Sequence, residues 1–494
     1  MSQPAEKLDV FIIGTGMAGL VAGAILADEG LKVGLFDKHS KLGGYAQYFG
    51  VDVCWDATTH YLGGVGPGGW FHDALAPCGL FERLELLPLA PAYRLLTPEA
   101  DLLAPADSTQ FREALVARFP AEAEGLKRFF GDVEAIGREY FQLAAAPATE
   151  GLLADNAERT AAEFVSDYTS DSALAALLTG AWLFTGLPPE RLSALHFAMQ
   201  FSTMHLQGGM AAPKGGMRAL TATMADFIRE RGGLVENRMA VTRLLTAGDR
   251  VLGASVEDGR SFHAGAVLST INPQDTFETL APGTAYPPLS QFVTSISALQ
   301  MHLLIPAGDP PPARLTLAHA AAADVGWRDL QMMEPEFHTL AISFLDWGDA
   351  ERAPAGQHMV SLTTLAPYPA ADGWHAPWSV RRTKQYRLLP DYVARKEALG
   401  DRLAARAAQI YPALGAEPLL RKVGTPITLE RYTHNTAGAA FGWANLPQQC
   451  GAARPGWQTP LEGLYMAGHW TFPGAGIAPV ALSARLAAGA ILCE

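Results

Sequence analysis

Residues Asp9–Gly44 read DVFIIGTGMAGLVAGAILADEGLKVGLFDKHSKLGG, and this stretch decides the fold. It begins with a short apolar run over 10–13, which is typical of a buried parallel strand. Three glycines follow in the pattern G-x-G-x-x-G, at Gly14, Gly16 and Gly19. A helix and a second strand over 32–36 come next. The stretch therefore predicts a strand-helix-strand unit that binds the pyrophosphate of a dinucleotide.

The glycines and the acid after the second strand have distinct expected roles. The first glycine permits a tight turn, the second lets the backbone approach the pyrophosphate, and the third lets the helix pack closely against the strand. We also expect the turn at Gly16 to use backbone angles that favour glycine. Asp37 lies about 20 residues after the glycines, where a carboxylate accepts a hydrogen bond from an adenosine ribose and would repel a 2′-phosphate. A bare glycine pattern also serves turns that bind nothing, so the flanking elements carry the prediction.

The composition of the chain limits its partners. At 494 residues it exceeds one ordinary domain, so two or three lobes are expected. With 49% hydrophobic and 18% charged residues, it has material for a large core and an apolar cavity. The formal net charge of −13 argues against nucleic acid and against electrostatic docking on anionic lipid. Apolar insertion into a membrane surface stays open, as does the oligomeric state.

Targeting and metal signals are missing from the sequence. It has no apolar run of about 18 residues and no basic, apolar leader, so we expect a cytoplasmic protein without a transmembrane helix. The four cysteines lack metal or redox spacing, which favours thiols and predicts no metal site. They are Cys54, Cys78, Cys450 and Cys493.

The middle of the chain is expected to be mainly helical from about 71 to 210, after an aromatic, glycine-rich loop over 45–64. Segments 121–143, 172–184 and 192–204 show helical spacing of apolar residues. They carry Trp182, Phe184, Phe197, Met199 and Met204. Two interpretations stay open: these side chains pack a core, or they line a pliable apolar channel.

From Pro213 the pattern changes to a glycine turn, a helix to about 231 and a strand. Strands over 250–256 and 261–269 are joined by a hairpin signal at Asp258 and Gly259. Further strands are predicted over 300–306, 338–346 and 358–365, and a helix over 396–411. The last residues return to the opening chemistry, with a strand over 464–467 and a helix over 478–492.

Four stretches together resemble the flavin amine oxidase and phytoene desaturase superfamily. They are 14–44, 49–64 with WDATTHYLGG, 213–245, and 462–484 with EGLYMAGHWTFPGAGIAPVALSA; 425–442 adds a weaker match near the substrate face. Within the superfamily, the chain looks most like the branch of carotenoid isomerases, retinol saturases and bacterial phytoene desaturase-like proteins.

The resemblance implies an α/β fold with FAD as cofactor. A discontinuous Rossmann-like FAD-binding domain would comprise 1–75, 213–285 and 455–494. A mixed-sheet and helical substrate-binding domain would be inserted as 76–212 and 286–454.

By position in the motifs, the resemblance also implies a set of cofactor-binding residues. They are Gly14, Gly16, Ala18, Gly19, Asp37, Lys38, Gly43, Gly44, Tyr45, Val241, Gly468, Gly476, Ile477 and Ala478. Val241 would meet the adenine end through its backbone, and the last three would lie beside the isoalloxazine ring. Many relatives have arginine where this chain has Tyr45. The catalytic candidates are His60, Tyr61 and His469, although a histidine that only bonds backbone is an equally open interpretation of His60.

The implied activity is that of an FAD-dependent oxidoreductase on C–C or C=C bonds of a conjugated polyene or isoprenoid lipid. Desaturation, saturation and isomerisation are not separated by the sequence. An amine or amino-acid oxidase is the alternative; it would use an aromatic cage and often a lysine near the flavin, and neither is identifiable. A flavin-free prenyl-lipid carrier resembling Rab escort proteins is disfavoured by the intact glycine motifs.

Overall fold

The computed structural model describes residues 6–284, 286, 289–368 and 374–493. The chain divides into two compact units. Unit 1 comprises Met1–Leu86, Pro213–Val293 and Ala452–Glu494, and unit 2 comprises Leu87–Ala212 and Thr294–Gly451. The roles predicted for the two domains remain predictions.

The strands of the described residues are numbered in chain order. They are β1 Glu6–Ile13, β2 Val33–Asp37, β3 Tyr48–Phe49, β4 Trp55–Asp56, β5 Leu62–Gly63, β6 Leu86–Pro88, β7 Tyr93–Leu96, β8 Asp101–Ala104, β9 Met210–Pro213, β10 Leu234–Asn237, β11 Val241–Ala247, β12 Arg250–Val256, β13 Ser261–Ser269, β14 Ser297–Pro306, β15 Leu315–His319, β16 Thr339–Phe344, β17 Gln357–Ala366, β18 Leu420–Gly424 and β19 Leu464–Met466.

The α-helices follow the same numbering. They are α1 Met17–Asp28, α2 Trp70–Leu75, α3 Ser108–Arg118, α4 Ala123–Glu139, α5 Gly151–Asp155, α6 Ala161–Ser166, α7 Ser172–Thr179, α8 Ala194–Phe201, α9 Gly216–Glu230, α10 Ala323–Leu330, α11 Trp378–Arg381, α12 Pro390–Ala408, α13 Pro426–Thr433 and α14 Ile477–Leu492.

Unit 1 is built on a seven-stranded sheet in the order β10-β2-β1-β13-β12-β11, with β19 also paired to β13. β10, β2, β1, β13 and β19 run parallel, while β11, β12 and β13 form an antiparallel meander. Helix α1 packs against α9 and α14, and it is buried nearly all round. The hydrophobic core of this unit includes Phe11 stacked on Phe36, with ring centroids 4.4 Å apart.

The elements that carry the glycine motifs lie where the sequence predicts them. The predicted strand-helix-strand unit is β1-α1-β2, and the predicted Asp258-Gly259 hairpin joins β12 to β13, with Gly259 at φ 92°. The closing strand and helix are β19 and α14. Local spacing therefore specified these elements to within one or two residues, except that β1 begins four residues before the predicted start at Val10.

Unit 2 contains a second seven-stranded sheet in the order β18-β14-β17-β16-β15-β7-β8. All but one of the ten residues of β14, and all of β15 and β16, are buried. The helices α3–α8 form a separate group with a buried aromatic core, in which Phe129 and Phe201 meet edge to face at 5.1 Å.

Two sequence predictions for unit 2 need correction. The stretch 71–210, predicted as mainly helical, also contains β7 and β8, which join the sheet by pairing with β15 and with each other. The helix predicted from 396 begins six residues earlier, at Pro390, because proline fits the first turn of a helix. Strands β15 and β18 were not predicted at all.

Two features that would change the functional class are absent from the described residues. In the part of the chain that the structure describes, no helix combines the length and apolarity needed to cross a bilayer. Over the same residues, no group of histidine, cysteine and acidic side chains is arranged to hold a metal ion.

Candidate cofactor site

The glycine turn between β1 and α1 leaves no room for side chains at its first and third glycines. Gly14 has φ 99°, and a Cβ there would lie 2.7 Å from Thr270 Oγ1. A Cβ on Gly19 would lie 2.1 Å from the carbonyl oxygen of Gly14, which is far inside contact distance. These two glycines are therefore required by the packing of unit 1 on itself.

Gly16 differs from its neighbours because the packing of the protein leaves room for a side chain at this position. Its φ of −63° and ψ of 175° suit any residue, so the expected glycine-specific angles at this position are wrong. The nearest described atom to a Cβ would be Gly44 Cα at 3.9 Å. The space beside Gly16 is therefore open, as a bound pyrophosphate requires.

The second glycine pair packs against this turn. Gly43 donates its N–H to the Thr15 carbonyl at 2.9 Å and forms a parallel bridge with Gly16. A Cβ on Gly44 would lie 3.1 Å from Gly16 Cα. Both glycines have positive φ, at 113° and 58°. The structure thus brings the two predicted glycine motifs into one cradle.

Asp37 does more than the sequence predicts. One of its carboxylate oxygens accepts hydrogen bonds from the Thr15 N–H at 2.8 Å and the Thr15 hydroxyl at 2.7 Å. The other accepts the His39 N–H at 2.9 Å. Asp37 therefore fixes the glycine turn from within the protein. The oxygen that accepts the His39 N–H has a further lone pair for a ribose hydroxyl.

The predicted adenine-side residues share one edge of the unit 1 sheet. Asn237 of β10 pairs with Asp37 at the end of β2, and Met239 donates its N–H to the Asp37 carbonyl at 2.7 Å. β11 begins two residues later, at Val241. The half-buried Lys38 follows Asp37 directly, so these predicted residues lie together.

The closing motif contributes a hydrogen-bonded turn beside α1. Gly468 has φ 121°, and a Cβ there would lie 3.7 Å from Ala18 Cβ. Its N–H donates to Ser483 Oγ at 3.0 Å, and Thr471 Oγ1 donates to its carbonyl at 2.9 Å. Since the serine and threonine are buried, they hold this turn in place independently of any ligand.

The N-terminus of α14 is accessible. Gly476 precedes the helix with φ 114° and is exposed, Ile477 is half-buried and Ala478 is buried. The first N–H groups of a helix have no partner within it and carry a partial positive charge. Ile477 and Ala478 supply such groups, whereas Pro479 has none.

A residue that sequence reasoning passed over, Asp56, connects two of the family-like stretches. Its buried carboxylate accepts the Met217 N–H at 2.8 Å, which caps the start of α9. Asp56 Oδ2 also lies 3.8 Å from His60 Nδ1, and the rings of His60 and Tyr61 meet edge to face at 5.9 Å. One signal in the sequence could have suggested the contact between Asp56 and α9. The helix begins at glycines and has no Ser, Thr, Asp or Asn cap of its own.

The third catalytic candidate, His469, lies against another predicted residue. Its ring meets Tyr45 edge on, with centroids 5.7 Å apart. Burial, and then the charge of Arg454, lower the pKa of His469 to about 3, so its imidazole is neutral at pH 7. The candidates therefore fall into two groups, one of His60 with Tyr61 and one of His469 with Tyr45.

These residues fit a flavin dinucleotide. The open space beside Gly16 suits a pyrophosphate, the edge at Asp37 and Val241 suits an adenosine, and the exposed start of α14 suits an electron-rich ring. The fold and the site define an FAD-dependent oxidoreductase.

Comparison with known proteins gives the family. The family described as flavin containing amine oxidoreductase matches residues 17–492, and the chain belongs to it. Chloroplastic prolycopene isomerase of Daucus carota is 23% identical over 523 residues, covering 99% of this chain and 81% of the relative. Lycopene-forming phytoene desaturase of Pantoea ananas is 27% identical over 507 residues, covering 97% and 98%.

A solved structure agrees in fold. Putrescine oxidase bound to putrescine superimposes with a TM-score of 0.60 at 14% identity, covering 99% of this chain and 100% of that one. At this identity the likeness shows the fold alone. The predicted family resemblance, fold class, enzyme class and FAD cofactor are confirmed.

Proposed function

We propose that this enzyme desaturates, saturates or isomerises C–C or C=C bonds of a conjugated polyene or isoprenoid lipid. The observation that carries the proposal is full-length similarity to two relatives named for carotenoid chemistry, at 23% and 27% identity. The amine-oxidase likeness is structural, at 14% identity, and supports only a shared fold.

The geometry of unit 1 supports the binding roles proposed for these residues. The pyrophosphate would bind beside the two glycine motifs, which comprise Gly14, Gly16, Gly19, Gly43 and Gly44. Of these five glycines, Gly16 alone leaves space that the described protein does not fill. In the same arrangement, Asp37, Lys38 and Val241 would face the adenosine. Ala18, Tyr45, Gly468, Gly476, Ile477 and Ala478 would lie along the flavin.

When bound, FAD supplies the hydride and electron transfer. The start of α14 would stabilise negative charge through the backbone N–H groups of Ile477 and Ala478. A neutral His469 hydrogen-bonds without placing a positive charge beside an apolar substrate. A hydrocarbon substrate carries no heteroatom for a catalytic acid to protonate, so positioning and exclusion of water are the main contributions expected of the protein. Desaturation would also release a proton along with the hydride, and an acceptor among the protein groups or water would take it.

An anaerobic experiment tests the substrate class. The purified holoenzyme is reduced, or left oxidised, and offered carotenoids, retinoids and short amines separately, with products followed by mass and absorbance. We expect polyene products and no rapid reduction of the flavin by amines. Rapid reduction by amines, with polyenes left unchanged, would replace this proposal with an amine oxidase.

A further inference from the structure

Two arginines and two tyrosines of unit 2 form a compact surface group, which we call the arginine–tyrosine cluster: Tyr386, Arg387, Arg431 and Tyr432. Arg387 donates from Nε to the Tyr386 hydroxyl at 3.3 Å and from Nη2 to the Tyr432 hydroxyl at 3.2 Å. Tyr386 is buried, whereas Arg387 is exposed. The two phenols therefore hold an exposed guanidinium in one orientation.

No ion pair within the described residues neutralises the charge of this cluster. The guanidinium carbon of Arg431 lies 4.7 Å from the Tyr432 ring centroid. The buried Nη1 of Arg431 has no hydrogen-bond acceptor among the residues that the structure describes. Among the residues that the structure describes, no carboxylate forms an ion pair with Arg387 or Arg431. Two guanidinium charges without an ion-paired carboxylate attract an anion, so an anionic group from outside would stabilise this arrangement.

The electrostatic surroundings of Tyr432 agree with this. Burial alone would raise the pKa of its phenol, but hydrogen bonding and the positive charges of Arg387 and Arg431 outweigh burial and lower the pKa. The local potential is thus positive enough to favour an anion over a neutral group.

The neighbouring sequence extends the positive surface and adds an apolar contact. Among residues 381–396, Arg382 and Lys384 are exposed cations like Arg387 and Asp391 is an exposed acid, whereas Arg381 is buried and Lys396 forms an ion pair with Glu397. The chain as a whole has a net charge of −13. The net charge of the chain argues against docking on anionic surfaces, but this argument does not apply to the surface around the cluster. Leu388, next to Arg387, is 80% exposed, so an apolar side chain stands beside the cationic cluster.

We propose that Arg387, Arg431 and Tyr432 bind the phosphate or diphosphate group of an amphiphile whose hydrocarbon part lies against Leu388. Guanidinium groups match phosphate oxygens in geometry as well as charge. The same chemistry is offered by an isoprenoid diphosphate and by a phospholipid headgroup. The proposal is independent of the polyene reaction, because a carotenoid hydrocarbon carries no phosphate.

The test uses the FAD-loaded enzyme, so that the cofactor site is already filled. Calorimetry measures binding of inorganic pyrophosphate and farnesyl diphosphate, and sedimentation measures binding to vesicles of phosphatidylglycerol or phosphatidylcholine. We expect Arg387→Gln and Arg431→Gln each to weaken binding about tenfold or more. Arg387→Lys keeps the charge but not the two-pronged geometry, so we expect an intermediate loss.

Arg128→Gln is the matched control. Arg128 also lies over a tyrosine, Tyr168, at 5.4 Å, but that phenol donates to the Asp132 carboxylate at 2.7 Å, so the charge there is balanced. Binding by this variant should equal that of the unmodified protein.

Each outcome decides the proposal. Binding of the soluble diphosphates that both glutamine variants lose assigns the site to a small amphiphile. Binding of phosphatidylglycerol vesicles alone, lost in the same variants, assigns it to a lipid headgroup. No binding of either kind, or equal losses in the Arg128 control, overturns it. Flavin absorbance and polyene turnover are recorded in parallel, so a failure here is distinct from a failure of the proposed reaction.

Discussion

From the sequence, both the glycine turn of unit 1 and the aromatic helices of unit 2 are candidates for contact with a ligand. In the structure, the turn leaves open space, whereas the aromatic side chains pack against one another. Beside Gly16 the protein leaves space, with its nearest atom 3.9 Å from a Cβ position. In unit 2, Phe197 packs against Phe129 and Phe164, each with ring centroids 6.2 Å away. Unfilled space beside a glycine of a binding motif is thus stronger evidence for a bound ligand than a segment that is rich in apolar residues.

The other apolar residues of unit 2 point the same way. Trp182 stacks on His319 with centroids 5.6 Å apart, and Met199 and Met204 are buried. These contacts fit the core-packing interpretation that the sequence left open. The channel interpretation stays a prediction for Phe184, which is half-buried.

The largest expected effect comes from Gly19→Ala. Its Cβ would lie 2.1 Å from the Gly14 carbonyl oxygen, so we expect a loss of about 3 kcal/mol or more in the free energy of unfolding. Gly489→Ala is the control, since nothing lies within 4 Å of its Cβ position in a helix; it should gain about 1 kcal/mol. Urea denaturation measures the free energy of unfolding of both variants. Equal values would show that the turn accommodates the added methyl group.

Gly16→Val separates fold from cofactor. Since the protein leaves this position open, we expect a folded protein that has lost FAD, because the valine methyls fill the pyrophosphate space. Flavin absorbance and circular dichroism check the two parts. A folded variant with full flavin content would mean that the phosphate site lies elsewhere.

Asp37→Ala should weaken FAD retention by about 1.5–3 kcal/mol, the range for a hydrogen bond to a charged group. It also removes the acceptor for the Thr15 hydroxyl at 2.7 Å, so part of the loss would come from the turn. Thr15→Val removes that hydroxyl while leaving the carboxylate in place. Equal FAD affinities in the two variants would assign Asp37 to the turn alone.

A pH effect is expected from the aromatic region. Desolvation lowers the pKa of His205 to about 3, below its ordinary value of 6.5. Between these values the unfolded chain binds one more proton, so the free energy of unfolding falls as the pH falls, by about 1.4 kcal/mol per pH unit. Above pH 6.5 this contribution is constant. In His205→Gln the slope measured by urea denaturation should be smaller by that amount; an unchanged slope would contradict it.

The smallest effect is expected from Met199→Leu and Met204→Leu. Both side chains are buried, and a volume-conserving change in a core costs less than about 1.5 kcal/mol. If they only pack the core, product distribution with a polyene should be unchanged. A changed distribution at unchanged flavin content would restore the channel interpretation.

Sequence reasoning succeeded where the signal is local. The β1-α1-β2 unit and the start of α14 follow from glycine spacing that a tight turn enforces. It failed where the determinant is distant in sequence: β7 joins its sheet only by pairing with β15, and Asp56 caps a helix that begins 160 residues later. Arg387 and Tyr432, separated by 45 residues, could not have been paired beforehand.

The pairing of β19 with β13, beside β1, has a consequence for biosynthesis. β1 ends at Ile13 and β19 begins at Leu464, so the first strand of the proposed cofactor site leaves the ribosome long before the last one. At about 5–20 residues per second, the interval is about 20 to 90 seconds. We therefore expect nascent chains to hold only part of the proposed cofactor site, and flavin loading to follow completion of the chain.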